Sequence, residues 1–223
     1  MAALTTPDLL RRVPLFEHLS DAQALSLITA LEKRRFKRSE TLVHAGQKSG
    51  LLFIILSGKC NVVVNANGKE IVLATLGAGE CVGEMSLLDN QPHSATVIAE
   101  TQVDTLVLSR DGFNQCLLNN NQMAVAVMGD LVVRLRKANQ KIASLALSSV
   151  PSRVLGYLYA SAESRQGDWL TVKKLSNTAI SRQVGASREM VSKAIKEYRA
   201  QGLICTTPEG FLGLKERRKV PRG

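Results

Sequence analysis

From Gln122 to Ser148 apolar side chains recur along one stripe for the length of a single long helix. Ala124, Met128, Leu131, Leu135, Ala138, Ile142, Leu145 and Ser149 follow one another in alternating steps of four and three, the seam of a two-stranded coiled coil. Arg134, Arg136, Lys137, Gln140 and Lys141 fill the flanks, so the pattern predicts a helix that is solvated away from its stripe. Such a helix serves either as a core element of its own domain or as a dimer clamp. The regular seam favours the clamp, through Met128, Leu131, Leu135, Ala138, Ile142 and Leu145.

Before this helix the texture is different. Thr5 to Glu32 is helical in pattern, a short piece ending near Phe16 and then a helix capped by Ser20 or Asp21 that carries Ala24, Leu27 and Leu31. It runs into Lys33-Arg34-Arg35-Phe36-Lys37-Arg38, which reads as a basic helix end passing into a solvated edge strand. From Glu40 to Leu108 glycines punctuate short apolar runs: Leu51 to Leu56, Cys60 to Val64, Ile71 to Leu76, Thr96 to Ala99 and Val103 to Leu108. Asn67-Gly68 is a strong hairpin turn. Short strands at such spacing predict an all-β sandwich or barrel. Ser109 then caps a helix with Phe113, Cys116 and Leu117.

After the long helix, Ser148-Ser149-Val150-Pro151 predicts a break and a new helix from Pro151 to Ala162, because proline fits only a first turn. Glu163 to Asp168 reads as a polar loop and Trp169 to Val172 as an extended piece. Ser176 caps a short helix with Ile180 and Val184 inward, Gly185 supplies the turn, and Ser187 caps a second helix with Val191, Ile195 and Tyr198 inward. Helix, glycine turn and helix make a helix-turn-helix. On the outer face of the second helix lie Arg188, Glu189, Ser192 and Lys193. Arginine grips guanine through two bonds and a carboxylate accepts from cytosine, so this end carries base-reading chemistry. Ile204 to Leu214, with Pro208 and Gly210 between two apolar pieces, predicts a β-hairpin wing before a basic, frayed tail from Lys215.

Charge sharpens this picture. Up to Ser149 there are 15 Lys and Arg against 13 Asp and Glu, a net of +2, whereas from Val150 onward the counts are 14 and 6, a net of +8. A small basic domain beside a nearly neutral one suits a polyanion, with nucleic acid the first candidate. A merely basic surface explains the charge alone, but not the helix-turn-helix beneath it.

Other chemistries are weakly represented. Cys60, Cys81, Cys116 and Cys205 have no metal-ligand spacing, and free buried thiols are expected. His18, His44 and His93 are isolated along the chain, and no nucleophile–base pair, metal cluster or Walker loop is evident, so no enzyme and no metal are expected. No apolar run approaches the roughly 20 residues needed to cross a bilayer. Met1 to Pro14 lacks the pattern of a secretion signal, so the expectation is a cytoplasmic protein with no membrane partner.

The order of parts and two motifs resemble the cyclic AMP receptor and fumarate–nitrate regulator (Crp/Fnr) family of bacterial transcription factors, over about Pro14 to Leu214. The first motif is Val184-Gly185-Ala186-Ser187-Arg188-Glu189-Met190-Val191-Ser192-Lys193, similar to the family's recognition helix, in which the arginine and glutamate read bases. Lys193 stands where the family has a second arginine, keeping the charge but not the planar fork. By the same resemblance Ser187 and Thr178 contact phosphates.

The second motif, Gly83-Glu84-Met85-Ser86-Leu87-Leu88 followed by His93-Ser94-Ala95-Thr96, looks like the family's phosphate-binding cassette. There a turn and short helix aim N–H groups at a phosphate and the glutamate accepts from a ribose hydroxyl. Gly83, Glu84 and Ser94 are retained, and His93 replaces the arginine that pairs with the cyclic phosphate. Ala138 and Asn139 stand where cyclic-AMP-binding members place a threonine and a serine that reach the purine.

The resemblance implies an α+β chain: a cyclic-nucleotide-binding-type β-roll (1–121), a dimerisation helix (122–149) and a winged helix-turn-helix (150–223). It implies a homodimer on a pseudo-palindromic DNA operator, with RNA polymerase a candidate partner. The implied effector is cyclic AMP or another cyclic nucleotide such as cyclic di-GMP, held by Gly83, Glu84, Met85, Ser86, His93, Ser94 and Asn139. A DNA-binding protein whose β-roll pocket is vestigial is the alternative.

Overall fold

The computed structural model describes residues 7–215 apart from Arg12, His18, Asn67, Gly167, Lys174 and residues 208–210. The expected features at Met1 to Thr6, His18, Asn67, Pro208, Gly210 and the tail beyond Lys215 lie outside the described residues. The described chain forms two compact units, 1–137 and 138–223, and α5 (Asn121–Leu147) runs through the division.

The first unit opens with α1 (Pro7–Leu10), a 3-10 turn at Pro14–Phe16 and α2 (Asp21–Ala30). Ser20 and Gln23 close a capping box at the start of α2, each side chain taking up a backbone N–H of the other. Eight strands follow: β1 (Glu32–Phe36), β2 (Thr41–Val43), β3 (Leu51–Ser57), β4 (Cys60–Ala66), β5 (Lys69–Leu76), β6 (Cys81–Val82), β7 (Thr96–Ala99) and β8 (Val103–Ser109). They form two antiparallel sheets, ordered β1-β8-β3-β6 and β2-β7-β4-β5. Phe53 and Ile55 of β3 turn inward with Val82, Val97, Val103 and Val107, making the core shared by both sheets. Leu52 and Ile54 alternate to the other face, where Phe16, Leu27, Phe113 and Met123 cover them. Burial on both faces is why Leu51 to Leu56 reads as a continuous apolar run. The basic segment at Lys33 is the exposed edge strand β1, with Phe36 packed edge-on to Phe53.

Between β6 and β7 sits α3 (Glu84–Asp89), and after β8 comes α4 (Arg110–Asn119), capped by the Ser109 hydroxyl. On α5 the seam residues Met128, Leu135 and Ile142 are 56%, 61% and 63% exposed, while Met123 and Val127 are buried against the first unit. Met123, Val127, Asp130 and Arg134 make a second stripe at helical spacing. This corrects the expectation that Arg134 lies on a solvated flank, because the helix has two packing faces and Arg134 ends the inner one.

The second unit contains α6 (Val150–Ala160), β9 (Ser164–Gln166), β10 (Trp169–Val172), α7 (Asn177–Val184), α8 (Arg188–Ala200), β11 (Ile204–Thr206) and β12 (Leu212–Lys215). The sheet is ordered β11-β12-β10-β9, so the segment expected as a polar loop contributes an edge strand through its pairing with β10. Val154, Leu158, Ile180, Val191, Ile195 and Leu214 form the core. Arg153 fastens this unit: its guanidinium donates to the carbonyls of Val184 at 3.0 Å and Ser148 at 2.7 Å.

Candidate functional site

Two clusters of expected site residues assemble, one in each unit. In the first, Gly83 takes a left-handed φ of 100° immediately before α3. A Cβ there would come within 2.4 Å of the Leu51 carbonyl oxygen, so no larger residue fits the turn. The turn and α3 border a cavity of about 100 Å³ lined by Gly83, Glu84, Met85, Ser86, His93 and Ser94, together with Asp89 and Arg134. Asn139 is exposed on α5 and is not among the lining residues.

Glu84 is 5% exposed. Its Oε1 accepts from Arg134 Nη1 at 3.0 Å, and Arg134 Nη2 donates to the Cys81 carbonyl at 2.7 Å and pairs with Asp130 at 2.8 Å. Burial pushes the Glu84 carboxyl above the usual carboxylate range, and the Arg134 charge opposes that shift. Glu84 Oε2 and Arg134 Nε have no hydrogen-bond partner among the described residues. A buried acceptor and a buried donor in one cavity suit a ligand that brings a hydroxyl and an anionic oxygen. Arg134 was missed from sequence, although its place on the inner stripe of α5 carried the signal.

His93 is buried, and burial holds its pKa below the usual histidine value. It is not isolated in space, since its Nε2 lies 2.9 Å from Ser49 Oγ. The Ser86 hydroxyl donates to the Gln91 carbonyl at 2.6 Å, and Arg110 donates to the carbonyls of Leu87 and Ser86, so the end of α3 is braced from behind. Of the cysteines, Cys60 and Cys81 are buried and Cys116 and Cys205 half-buried. Burial pushes the Cys60 thiol up to about 11 and raises Cys81 further.

The second cluster stands on α8. Ser187 caps the helix by accepting from the Met190 N–H at 3.2 Å. Its buried face, Val191, Ala194 and Ile195, leaves Arg188, Glu189, Ser192 and Lys193 exposed on the other side. These four share an open surface with Asn177 and Lys196, which sequence reasoning passed over. Thr178 is exposed on α7 outside that group. The Glu189 backbone N–H, then the Ser187 hydroxyl, hold the Glu189 carboxyl below the usual range, so it is an acceptor at neutral pH. Gly185 makes the turn with φ 64°.

A two-sheet roll with a glycine-turned cassette, followed by a helix-turn-helix unit with its own small sheet, is the fold that the sequence resemblance implies. Residues 33–120 match the cyclic nucleotide-binding domain family. The CRP-like cAMP-activated global transcriptional regulator of Mycobacterium tuberculosis is 29% identical over 202 residues, covering 88% of this chain and 90% of its own length. The cAMP-activated global transcriptional regulator Vfr of Pseudomonas aeruginosa is 27% identical, covering 86% of this chain and 91% of its own. Among solved structures, the c-di-GMP responsive global regulator CLP of Xanthomonas campestris shares the fold with a TM-score of 0.77 at 21% identity, covering 89% of this chain and 100% of that one. Over most of its length the chain is thus similar to cAMP-activated transcription regulators of the Crp type, and residues 33–120 carry the cyclic nucleotide-binding domain match. These relatives are regulators rather than enzymes. Among the described residues, no helix is long and apolar enough to cross a membrane and no group of three side chains could hold a metal.

Proposed function

We propose that the chain is a homodimeric, sequence-specific DNA-binding transcription regulator controlled by a cyclic nucleotide held in the β-roll. One observation carries the reading: the chain pairs a cavity with an unsatisfied buried carboxylate oxygen with an exposed helix face of Arg188, Glu189, Ser192 and Lys193. Residues 1–121 act as sensor, 122–149 as dimerisation helix and 150–223 as DNA-binding domain.

In the sensor Glu84 accepts from a ribose hydroxyl, Gly83, Met85 and Ser86 present backbone N–H groups to the phosphate, and His93 and Ser94 close its other side. By the family resemblance Asn139, which does not line the cavity of its own chain, reaches the base across the dimer from the second copy. In the DNA-binding domain Arg188 and Glu189 read base edges, Ser192 and Lys193 extend the contact by one turn, and Ser187 and Thr178 hold phosphates. The apolar stripe through Met128, Leu131, Leu135, Ala138, Ile142 and Leu145 binds the same stripe of a second copy. The twofold axis then sets two recognition helices about 34 Å apart on a pseudo-palindromic operator. The effector works by favouring one of two packings of that dimer helix. The protein acts in the cytoplasm, with RNA polymerase as its onward partner.

The M. tuberculosis and P. aeruginosa relatives are cAMP-activated, which makes cyclic AMP the first effector to test. A calorimetric titration with cyclic AMP, cyclic GMP and cyclic di-GMP tests the sensor, and binding of one of them is the expected result. His93 in the arginine's place favours a second reading, a ligand-independent DNA-binding protein. That reading expects no heat with any of the three.

A further inference from the structure

His93 is fastened to one loop by main chain and side chain together. Its N–H donates to the Gln47 carbonyl and its carbonyl accepts from the Gly46 N–H, both at 2.9 Å. Its ring Nε2 lies 2.9 Å from Ser49 Oγ, and that same Oγ accepts from the Leu51 N–H at 3.3 Å. A hydroxyl has one proton to give and two lone pairs to receive with. Toward a neutral ring, Ser49 donates to Nε2, which leaves the ring proton on Nδ1. Toward a charged ring, both nitrogens donate, and Ser49 turns its hydroxyl to accept from Nε2 while still accepting from Leu51. The Ser49–His93 pair therefore keeps its hydrogen bond in either charge state.

The surrounding charges decide which state a phosphodiester would need. Glu84 and Asp89 from α3 and Arg134 from α5 line the same cavity, and His44 and Lys48 lie on the exposed loop that holds the ring. Arg134 already serves Glu84, Asp130 and the Cys81 carbonyl. With a neutral ring the lining carries two carboxylates against one guanidinium, which repels an anion. A protonated ring brings that lining to neutrality.

We propose that Ser49 and His93 determine which ligands the cavity accepts, admitting a phosphodiester only together with a proton taken from solvent onto His93. This deepens the reading of the cavity as a cyclic-nucleotide site and rests on it. No bond of the ligand is broken: the proton passes from solvent to Nε2, where Ser49 turns from donor to acceptor, and the Nδ1–H of the resulting imidazolium pairs with the phosphate oxygen. Burial keeps the ring neutral near pH 7 before the ligand arrives, and the anion raises its pKa, so affinity climbs as pH falls between those two values. Ser49 is a positioning residue that fixes which ring nitrogen faces the ligand.

The test is calorimetry of the full chain with cyclic AMP in two buffers of different protonation enthalpy, repeated across pH, with wild type, His93→Arg, Ser49→Ala and Ser49→Thr. In wild type, uptake near one proton per site is expected at pH 7.5, with affinity falling about tenfold per pH unit on the alkaline side. His93→Arg is expected to bind with no uptake and a flat profile. Ser49→Ala is expected to weaken binding by about fivefold, the usual size of one lost hydrogen bond, and Ser49→Thr to restore it. Ser49→Ala also moves the neutral ring's proton off Nδ1, read from its nitrogen chemical shifts. Wild-type binding without proton uptake overturns the inference and leaves the cavity's assignment standing. No binding by wild type or His93→Arg at any pH overturns both.

Discussion

Burying a carboxylate is costly unless a cation faces it, and Glu84 meets Arg134 at 3.0 Å. Removing the guanidinium leaves a buried charge alone, so Arg134→Ala is expected to lose about 3–5 kcal/mol of stability at pH 7.5, measured by urea unfolding. The sign of its pH dependence follows from the raised carboxyl pKa. A folded state that holds its proton to higher pH than the unfolded chain gains stability as pH falls through the folded value, until the unfolded carboxyl protonates too. The deficit of Arg134→Ala relative to wild type should therefore shrink by pH 5.5; a deficit equal at both pH values would mean that the Glu84 charge is not its source. On α8, Arg188→Ala and Glu189→Ala should each weaken operator binding by about tenfold to a hundredfold and relax base preference at one position. Gel-shift titrations against single-base operator variants read both effects, and unchanged affinity and preference would remove the recognition-helix assignment.

Elements show which parts of this chain could be read in advance. Strand β3 was legible because burial on both faces writes a continuous apolar run, and α8 because Val191 and Ile195 fall at helical spacing behind a serine cap. The short β9 was not, since Ser164 to Gln166 carries no apolar pattern and is held to β10 by backbone pairing and a Ser164–Thr171 hydroxyl contact. In the cavity, Gly83, Glu84 and His93 were found from a local motif, whereas Arg134 lies 50 residues from Glu84 and Ser49 lies 44 from His93. Such partners are fixed by tertiary packing, which a single sequence does not display. Gly185 ties local conformation to packing: its left-handed φ of 64° is accompanied by Leu145 Cδ2 at 3.1 Å from where a Cβ would stand. Gly185→Ala should cost about 1–2 kcal/mol and Gly185→Asn distinctly less, in thermal unfolding. The exposed stripe of α5 makes a prediction of its own: Leu135→Glu with Ile142→Glu should sediment as a monomer at micromolar concentration, where wild type sediments as a dimer.

At the scale of the whole molecule the charge is partitioned, with a net of +8 after Ser149 and +2 before it. If that excess serves DNA, affinity for duplex should fall at least about a hundredfold between 50 and 200 mM salt, and Lys193→Ala should lower the salt slope by about one. A regulator of this design also couples its two clusters through free energy: an effector that favours one dimer packing changes DNA affinity by the factor with which it distinguishes the two packings. The most direct measurement is the anisotropy of a labelled duplex, selected by this protein from random sequence, titrated with full-length chain with and without saturating cyclic nucleotide. Affinity about tenfold or more higher with one of cyclic AMP, cyclic GMP or cyclic di-GMP is the predicted result. The same affinity with each of them as with none would contradict effector control.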